Sequence, residues 1–397
     1  MSSDRRELPA EETLELDALF TGTYEDLPLE EFFPDLPFDI WTEEFFRANE
    51  LVNLYTDLQV CDVLGRLGLR PGEPLSPRSG ILDRLGATPT RRGCAEWLLV
   101  KAAGSNFAKT FWGRRCVDDT GEVRRQILAE NRALAVSLDL IDLASRSYPE
   151  FLRGDIDGRD ILFSQRTLPL WDQYFDNQNP IYGPTNLLAA HAAEDVLRCE
   201  SPLRGRTLRV LEVGAGCGSA SETLLDRIGN HVERYTLTDI SPHLLRRARE
   251  RISALPAAEA IDSTFRLLDL DRPRHTWGVD DGEFDVIYAV NVVHCVRDPV
   301  ECLRLLRGLL KSGGVLALGE CVRPAPEQPV HPEFVFQLLH DPDALPLEGR
   351  RWSFIDLPAW RRILSEAGFS RIHCLPDFEA AVSAYGEYSV AAIVGQR

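Results

Sequence analysis

The sequence predicts an α/β fold in which an open, mostly parallel sheet is flanked by helices. The first observation is a short apolar run, Leu208 to Glu212, followed by alternate glycines, Gly214, Gly216 and Gly218. This order is typical of a buried strand that turns sharply into a helix. The second observation is that further strand-like runs alternate with helix-like segments, as expected for a parallel sheet. These runs begin at residues 234, 265, 284 and 315, and two final runs, 370–375 and 388–394, predict an antiparallel edge hairpin.

The glycine turn lets the backbone approach a bound ligand closely, because no Cβ stands in the way. Ser219 and Glu222 have the spacing of a capping box, which predicts that Ser219 caps the next helix. Asp239 ends the second strand-like run and suits the two hydroxyls of a ribose, and Asp269 could accept from an adenine amino group. The spacing differs from the dinucleotide pattern G-x-G-x-x-G. It therefore favours S-adenosylmethionine (SAM), a nucleoside that carries a small charged group.

These motifs stand in the order found in class I SAM-dependent methyltransferases, which the last half of the chain resembles. The resemblance implies a Rossmann-like sheet of seven strands with an antiparallel last hairpin, and SAM as the cofactor. We expect no metal, because the histidines form no H-x-x-H or H-x-x-x-E cluster. The residues expected to bind SAM are Tyr182, Glu212, Gly214, Gly216, Gly218, Asp239, Ile240, Asp269, Leu270 and Asn291.

Two polar residues follow neighbouring strands of this sheet. His294 lies just beyond the fourth strand, and Glu320 ends the fifth. In the class I order these strands are adjacent, about 5 Å apart, so their side chains can come within hydrogen-bond reach. The passage from Asn291 to Glu320 resembles the C-methyltransferase domains of polyketide synthases and stand-alone natural-product C-methyltransferases. This resemblance implies that His294 is the general base and that Glu320 orients it, as a carboxylate does in a hydrolase triad.

The sequence thus predicts SAM-dependent C-methylation of a small specialised metabolite, as in antibiotic biosynthesis. Two acceptors stay open: a carbon ortho to a phenol hydroxyl, as in a tyrosine-like amino acid, and a carbon alpha to a carbonyl. A phenol O-methyltransferase is the nearest alternative, and a non-catalytic SAM-binding partner protein is the alternative of another class. A nicotinamide oxidoreductase is the weakest. The candidate substrate residues are Tyr174, Arg323, Phe336 and Arg351, the arginines because they could clamp a carboxylate.

The first half of the chain is expected to be mainly helical. Residues 1–40 are acidic and proline-bearing, and we expect this segment to be partly mobile. Apolar residues then recur at helical spacing within an expected helical domain of residues 41–150, which leaves residues 151–397 for the methyltransferase domain. The helical domain resembles the helical or winged-helix-like N-terminal portions of small-molecule methyltransferases. Such portions build substrate pockets and sometimes dimer contacts, so a homodimer is a further expectation.

Charge and composition limit the class of partner. The 397 residues carry a net charge of −18, whereas a nucleic-acid partner would need a basic surface. A small-molecule acceptor is therefore expected. No apolar run approaches the ~20 residues that span a bilayer, which predicts a cytoplasmic protein without a membrane partner. Among the basic residues 41 are arginine and three are lysine, a skew that suggests a GC-rich bacterial source.

Overall fold

The computed structural model describes residues 41–70, 72–75, 78–104, 120–199, 205–339 and 352–397. The segment expected over residues 1–40 lies outside these ranges, and so does Arg351. The helices of the first half are α1 (Glu43–Arg66), α2 (Arg78–Arg84), α3 (Arg92–Gly104), α4 (Thr120–Glu130), α5 (Ala135–Arg153), α6 (Gly158–Leu162), α7 (Leu168–Tyr174) and α8 (Gly183–Cys199). The second half alternates strands and helices: β1 (Leu208–Val213), α9 (Ser219–Ile228), β2 (Val232–Asp239), α10 (Pro242–Ser253), β3 (Asp262–Leu267), β4 (Phe284–Val290), α11 (Pro299–Leu309), β5 (Leu310–Arg323), α12 (Glu333–Phe336), β6 (Ile355–Asp356), α13 (Leu357–Glu366), β7 (Ser370–Leu375), α14 (Phe378–Ala384) and β8 (Val390–Gln396).

The long helix α1 lies at the centre of the helical region. It begins after Thr42, whose extended backbone and side chain cap it by accepting a hydrogen bond from the N–H of Phe45. Glu43 and Glu44 in the first turn place negative charge at the positive end of the helix dipole. Most of the helix is buried, including polar residues such as Asn49. A buried helix with polar side chains can line a site as well as a core.

The strands form a sheet with the order β3-β2-β1-β4-β5-β8-β7. Strands β1 to β5 are parallel, and β8 runs antiparallel to both β5 and β7. The two-residue strand β6 pairs with the end of β5. The predicted seven-stranded sheet with an antiparallel last hairpin is confirmed. The carboxyl ends of the parallel strands meet at one edge, where Gly214, Asp239 and Asn291 lie at or just beyond β1, β2 and β4.

The capping-box prediction for Ser219 is wrong. The N-cap of α9 is Gly218, which has a left-handed backbone (φ 83°), and Ser219 is already helical. The N–H of Glu222 donates to the Gly218 carbonyl oxygen, as in an ordinary first turn. Glycine suits the cap position because an added Cβ would lie 3.0 Å from the Cα of Ala248 in α10. The turn is therefore set by close packing of α9 against α10.

Two hydrophobic cores lie side by side, one around the sheet and one within the helical region. The segment after β5 joins them. Phe334 packs against Tyr148, whose hydroxyl donates to the Phe334 carbonyl oxygen at 2.8 Å. Trp97 Nε1 donates to the buried carboxylate of Glu333 at 2.7 Å. The helical core continues to Ile181, and the domain boundary at residue 150 stays a prediction.

The described residues before 205 form helices and no strand, so the expected helical character of this region is confirmed without a winged-helix sheet. In the same described part of the chain, no helix is both long enough and apolar enough to cross a membrane. Cysteines within these ranges whose side chains are described are free thiols.

Candidate active site

A cavity opens at the carboxyl edge of the sheet, between the sheet and the helical region. Its volume is about 1650 Å³ with the open mouth included. This figure includes solvent at the mouth, so it exceeds the space that a ligand could fill. One part is lined by the glycine turn and acidic strand ends, and the other by His294 and aromatic side chains. The predicted SAM residues that line it are Tyr182, Gly214, Gly216, Asp239, Ile240, Asp269, Leu270 and Asn291.

The glycine turn leaves space that side chains would fill. Gly214 and Gly216 both have left-handed backbones, with φ values of 67° and 55°. An added Cβ on Gly214 would lie 2.2 Å from Cγ2 of Val292, whereas a Cβ on Gly216 would meet no protein atom within 4 Å. Gly214 is therefore required by packing against the loop after β4. Gly216 borders the open cavity, where a ligand can approach the backbone.

The two glycines give a matched pair of substitutions. Gly214→Ala should destabilise the fold by about 1–3 kcal/mol, because it combines backbone strain with a clash against the stiff side chain of Val292. Gly216→Ala has similar backbone strain without the clash, so we expect a smaller loss of stability and a clear loss of SAM affinity. Thermal unfolding and calorimetric titration with SAM measure the two effects. Equal losses of stability in both variants would contradict the packing role of Gly214.

Asp239 is held rigidly at the end of β2. Its Oδ2 accepts from the N–H of Gly216 at 2.9 Å, and its Oδ1 accepts from the N–H of Ser241 at 2.7 Å. Burial raises the pKa of Asp239 above its ordinary value, and the backbone hydrogen bonds oppose that rise. Each carboxylate oxygen keeps a second lone pair, which can accept from a hydroxyl. A fixed carboxylate beside a glycine turn fits the two hydroxyls of a ribose.

The loop after β4 is tied to β5 by Asn291. This residue has a left-handed backbone (φ 54°), which asparagine tolerates better than most residues. Its N–H donates to the Gly319 carbonyl oxygen at 2.7 Å, and its Oδ1 accepts from the Cys321 N–H at 2.8 Å. A short 3₁₀ turn, Val293–Cys295, follows directly. These bonds fix His294 opposite the end of β5.

His294 and Glu320 form a buried hydrogen-bonded pair. The distance from His294 Nδ1 to Glu320 Oε2 is 2.6 Å. The Glu320 side chain is completely buried, whereas the His294 side chain is 8% exposed and lines the cavity. Because a carboxylate only accepts, Nδ1 carries the proton and Nε2 of the neutral ring keeps its lone pair. The pair thus presents a basic nitrogen whose tautomer is set by Glu320.

The surroundings make His294 a stronger base than an ordinary histidine. Burial disfavours the charged imidazolium, but the neighbouring Cys295 side chain and the Glu320 carboxylate outweigh this effect and raise the pKa of His294 to about 10. The contribution of Glu320 has a clear geometric basis, because a buried carboxylate at hydrogen-bond distance stabilises the protonated ring. A base of raised pKa is suited to removing a proton from a weak acid.

Aromatic side chains form the wall that leads away from His294. Phe354 meets the His294 ring edge-on, with ring centroids 4.8 Å apart. Phe336 lies 6.3 Å from Phe354 and 6.0 Å from Tyr174, again by ring centroids. Tyr174 in turn lies 5.9 Å from Tyr182. The wall is therefore largely apolar, and Phe336 and Tyr174 stand where substrate residues were expected.

Other predicted site residues lie away from the cavity. Glu212 is buried beneath it, where it accepts from Ser221 Oγ at 2.5 Å and Tyr235 Oη at 2.6 Å, and burial raises the pKa of Glu212 to about 7. Gly218 caps α9 and does not line the cavity. Arg351 lies outside the described residues.

Arg323 requires a correction, because it is not available to clamp a substrate. Its side chain is completely buried and donates to Glu333 Oε1 at 3.1 Å and to the Phe354 carbonyl oxygen at 2.5 Å. The guanidinium also lies over the Trp352 ring, 4.9 Å from its centroid. Sequence position after β5 suggested the substrate side, but the buried carboxylate of Glu333 draws the guanidinium into the core.

The structure also brings to the cavity residues that were not among the predicted site residues. They are Asn49 of α1, His331 and Phe354 in the segment around α12, and Arg159 at the exposed mouth. Asn49 is one of several polar residues in α1, so the sequence did not single it out. His331 follows a proline-rich stretch without periodicity, so nothing placed it near α1.

The described residues fit SAM on the observations above. The open space beside Gly216 and the fixed carboxylate of Asp239 match a nucleoside cofactor. Within the described ranges, no group of three or more His, Cys, Asp or Glu side chains could hold a metal ion.

Comparison with known proteins agrees with this site. The family described as "Methyltransferase domain" matches residues 211–316. The polyketide synthase ThaQ of Burkholderia thailandensis is 29% identical over 260 residues, which is 63% of this chain but only 12% of ThaQ. The highly reducing polyketide synthase easB of Emericella nidulans is 37% identical over 170 residues, 42% of this chain and 6% of easB. The chain thus spans a small part of these relatives.

Among solved structures, the CurJ carbon methyltransferase superposes with a TM-score of 0.67 at 22% identity, covering 88% of this chain and 92% of CurJ's. This likeness shows the fold. With the matched domain and the glycine turn, the predicted cofactor and enzyme class are confirmed. Residues 211–316 thus belong to a SAM-dependent methyltransferase domain, and the chain is similar in sequence to polyketide synthases and in fold to a carbon methyltransferase.

Proposed function

We propose that this enzyme methylates a carbon alpha to a carbonyl in a small specialised metabolite, with His294 as the general base. The observation that carries the proposal is the His294–Glu320 pair, which opens into the same cavity as the glycine turn and Asp239. A base of raised pKa matches the weak acidity of such a carbon. The polyketide synthases among the relatives support an acyl acceptor.

When bound, SAM supplies an electrophilic methyl group on a sulfonium. The residues proposed to hold it are those that line the cavity beside the glycine turn, above all Gly216, Asp239 and Asn291. His294 Nε2 takes a proton from the acceptor carbon, and the electron pair left on that carbon is its nucleophile. Glu320 keeps the proton on Nδ1 and stabilises the imidazolium that forms. The aromatic wall from Phe354 to Tyr174 limits the access of water.

A phenol acceptor is less well supported. A tyrosine-like amino acid would need a cationic partner for its carboxylate. Arg323 cannot serve, because it is buried in an ion pair with Glu333. The exposed Arg159 at the mouth is the described arginine that lines the cavity. Phenol O-methylation needs the same base and remains the second candidate, because the aromatic wall could stack on a phenol ring.

Product analysis with methyl-¹³C SAM tests the proposal. The acceptor is an S-ethyl 3-oxoacyl thioester, whose C2 lies between two carbonyl groups, and a phenol is run beside it. We expect a carbon-bound methyl at C2 and no methoxy signal from either compound. A methoxy product would support O-methylation instead. SAM binding without transfer to any carbonyl or phenol acceptor would support the non-catalytic alternative.

The raised pKa of His294 predicts how the rate depends on pH. Only the neutral ring can take a proton, and a pKa above the usual 6.5 makes that form scarce at neutral pH. We therefore expect kcat/KM to rise with pH until it levels near the raised pKa, about 10. Glu320→Gln removes the negative charge and should move the rise to lower pH. A flat profile, or a rise at the same pH in both proteins, would contradict the assigned role of Glu320.

A further inference from the structure

A second histidine lies on the acceptor side of the cavity. His331 precedes α12, is 7% exposed and lines the cavity together with Asn49 of α1. The distance from His331 Nε2 to Asn49 Oδ1 is 3.1 Å. This pair joins the segment after β5 to the helical region. No step assigned to His294 and Glu320 uses it.

The hydrogen bonds of Asn49 determine which nitrogen of His331 carries a proton. Asn49 Nδ2 donates to the Phe45 carbonyl oxygen at 2.8 Å, which orients the amide so that Oδ1 faces His331. Since Oδ1 can only accept, Nε2 of His331 must donate. In a neutral ring, Nδ1 is then an acceptor with a free lone pair. Nδ1 has no hydrogen-bond partner among the residues that the structure describes.

The ring is neutral because of its surroundings. Burial, and then the positive charge of Lys101, lower the pKa of His331 to about 3. Lys101 is itself buried in α3 and is held by Asn53 Oδ1 at 2.5 Å and Asp57 Oδ1 at 3.3 Å. His331 is thus kept as a neutral acceptor, in contrast to the strongly basic His294. The surroundings thus lower the pKa of His331 and raise that of His294.

We propose that Nδ1 of His331 accepts a hydrogen bond from the methyl acceptor, so that the site selects acceptors bearing a hydroxyl or amide N–H away from the reacting carbon. The inference rests on the proposed function and names a property of its substrate. This preference arises because a bound compound without an N–H or O–H would cover Nδ1 and leave it without a hydrogen bond. Tyr174, at the end of the aromatic wall away from His294, lines a small adjoining pocket together with His331.

Equilibrium binding tests the preference without turnover. The protein loaded with S-adenosylhomocysteine is titrated with an S-ethyl 3-oxooctanoyl thioester, its derivatives hydroxylated at C5, C6 or C7, and the N-acetylcysteamine thioester, which adds an amide N–H. At least one donor-bearing compound should bind about 3- to 10-fold more tightly than the S-ethyl parent. Equal affinity across the whole panel, or no binding of any member, would overturn the inference.

Variants of His331 separate recognition from structure. In His331→Gln the amide lies near the position of Nε2, so its NH₂ group can keep the bond to Asn49 while no acceptor remains at the position of Nδ1. In His331→Asn an amide oxygen can replace Nδ1. We expect the donor preference to disappear in His331→Gln and to persist in part in His331→Asn. Ser137→Ala, in a small adjoining pocket also lined by His331, is the control and should keep the preference. An unchanged preference in His331→Gln would refute the assignment.

Nitrogen NMR of ¹⁵N-histidine-labelled protein gives an independent measure. His331 should show the neutral Nε2–H tautomer, and His331→Gln identifies its signals among the eight histidines. The Nδ1 resonance should shift with a hydroxylated compound but not with the S-ethyl parent. A charged ring or the opposite tautomer would contradict the inference. If the protein transfers methyl groups but binds compounds with and without a hydrogen-bond donor equally well, only this inference is contradicted. If it binds donor-bearing compounds more tightly but methylates none, only the proposed function is contradicted.

Discussion

Replacing His294 by alanine is expected to lower the rate of methyl transfer by about 100- to 10,000-fold, the usual contribution of a general base. The affinity for SAM should change little, because His294 lies on the acceptor side of the cavity. Glu320→Gln keeps a hydrogen-bond acceptor and loses the charge, so its loss of rate should be smaller. Single-turnover rates and calorimetric SAM binding measure the two quantities.

His231→Ala is the matched control for this prediction. His231 is an exposed residue in the turn before β2 and contributes nothing to the cavity, so its variant should keep the rate of the unaltered protein. If His294→Ala keeps that rate as well, His294 is not the base. A loss of SAM binding equal to the loss of rate would instead place His294 in the cofactor site.

Replacing Arg323 by methionine should destabilise the fold by about 3–5 kcal/mol, because it leaves the buried charge of Glu333 without its cationic partner. Arg323 and Glu333 are both completely buried. Glu333 also accepts a hydrogen bond from Trp97 of α3. The substitution should therefore lower the stability of the helical region as well as that of the sheet. Denaturant unfolding followed by tryptophan fluorescence measures the change.

Two further variants make the Arg323 prediction specific. Arg125→Met removes an arginine from an exposed ion pair with Glu122 and should hardly alter stability. The double variant Arg323→Met with Glu333→Met removes both buried charges, and it should be less destabilised than Arg323→Met alone. If the double variant is the less stable of the two, an uncompensated charge does not explain the effect of the single one.

The sheet was predictable because its strands are short apolar runs separated by glycine turns, and because parallel strands place their carboxyl ends at one edge. This reasoning brought His294 and Glu320 together from residues 26 positions apart. It failed at Ser219, where local capping propensity was outweighed by the close approach of α9 to α10 at Gly218. Packing between helices depends on residues far apart in the sequence, so a local motif does not predict it.

The acceptor side was less predictable for the same reason. Arg323 follows β5 as expected of a substrate residue, but its direction depends on Glu333, ten positions later, and on Trp97 of α3. Asn49 and His331 meet across 282 positions, and neither belongs to a recognisable motif. The cofactor side is built from consecutive strand ends of one sheet, whereas the acceptor side is assembled from distant segments. Sequence patterns therefore describe the first far better than the second.

The central claim is that His294 removes a proton from an acceptor carbon. Proton exchange measures that step directly: the protein with S-adenosylhomocysteine and the S-ethyl 3-oxooctanoyl thioester is placed in D₂O, and loss of the C2 proton signal is followed by NMR. The account predicts that the protein accelerates exchange above the buffer rate and that His294→Ala does not. Equal acceleration by His294→Ala, or no acceleration by a protein that methylates the same compound, would contradict it.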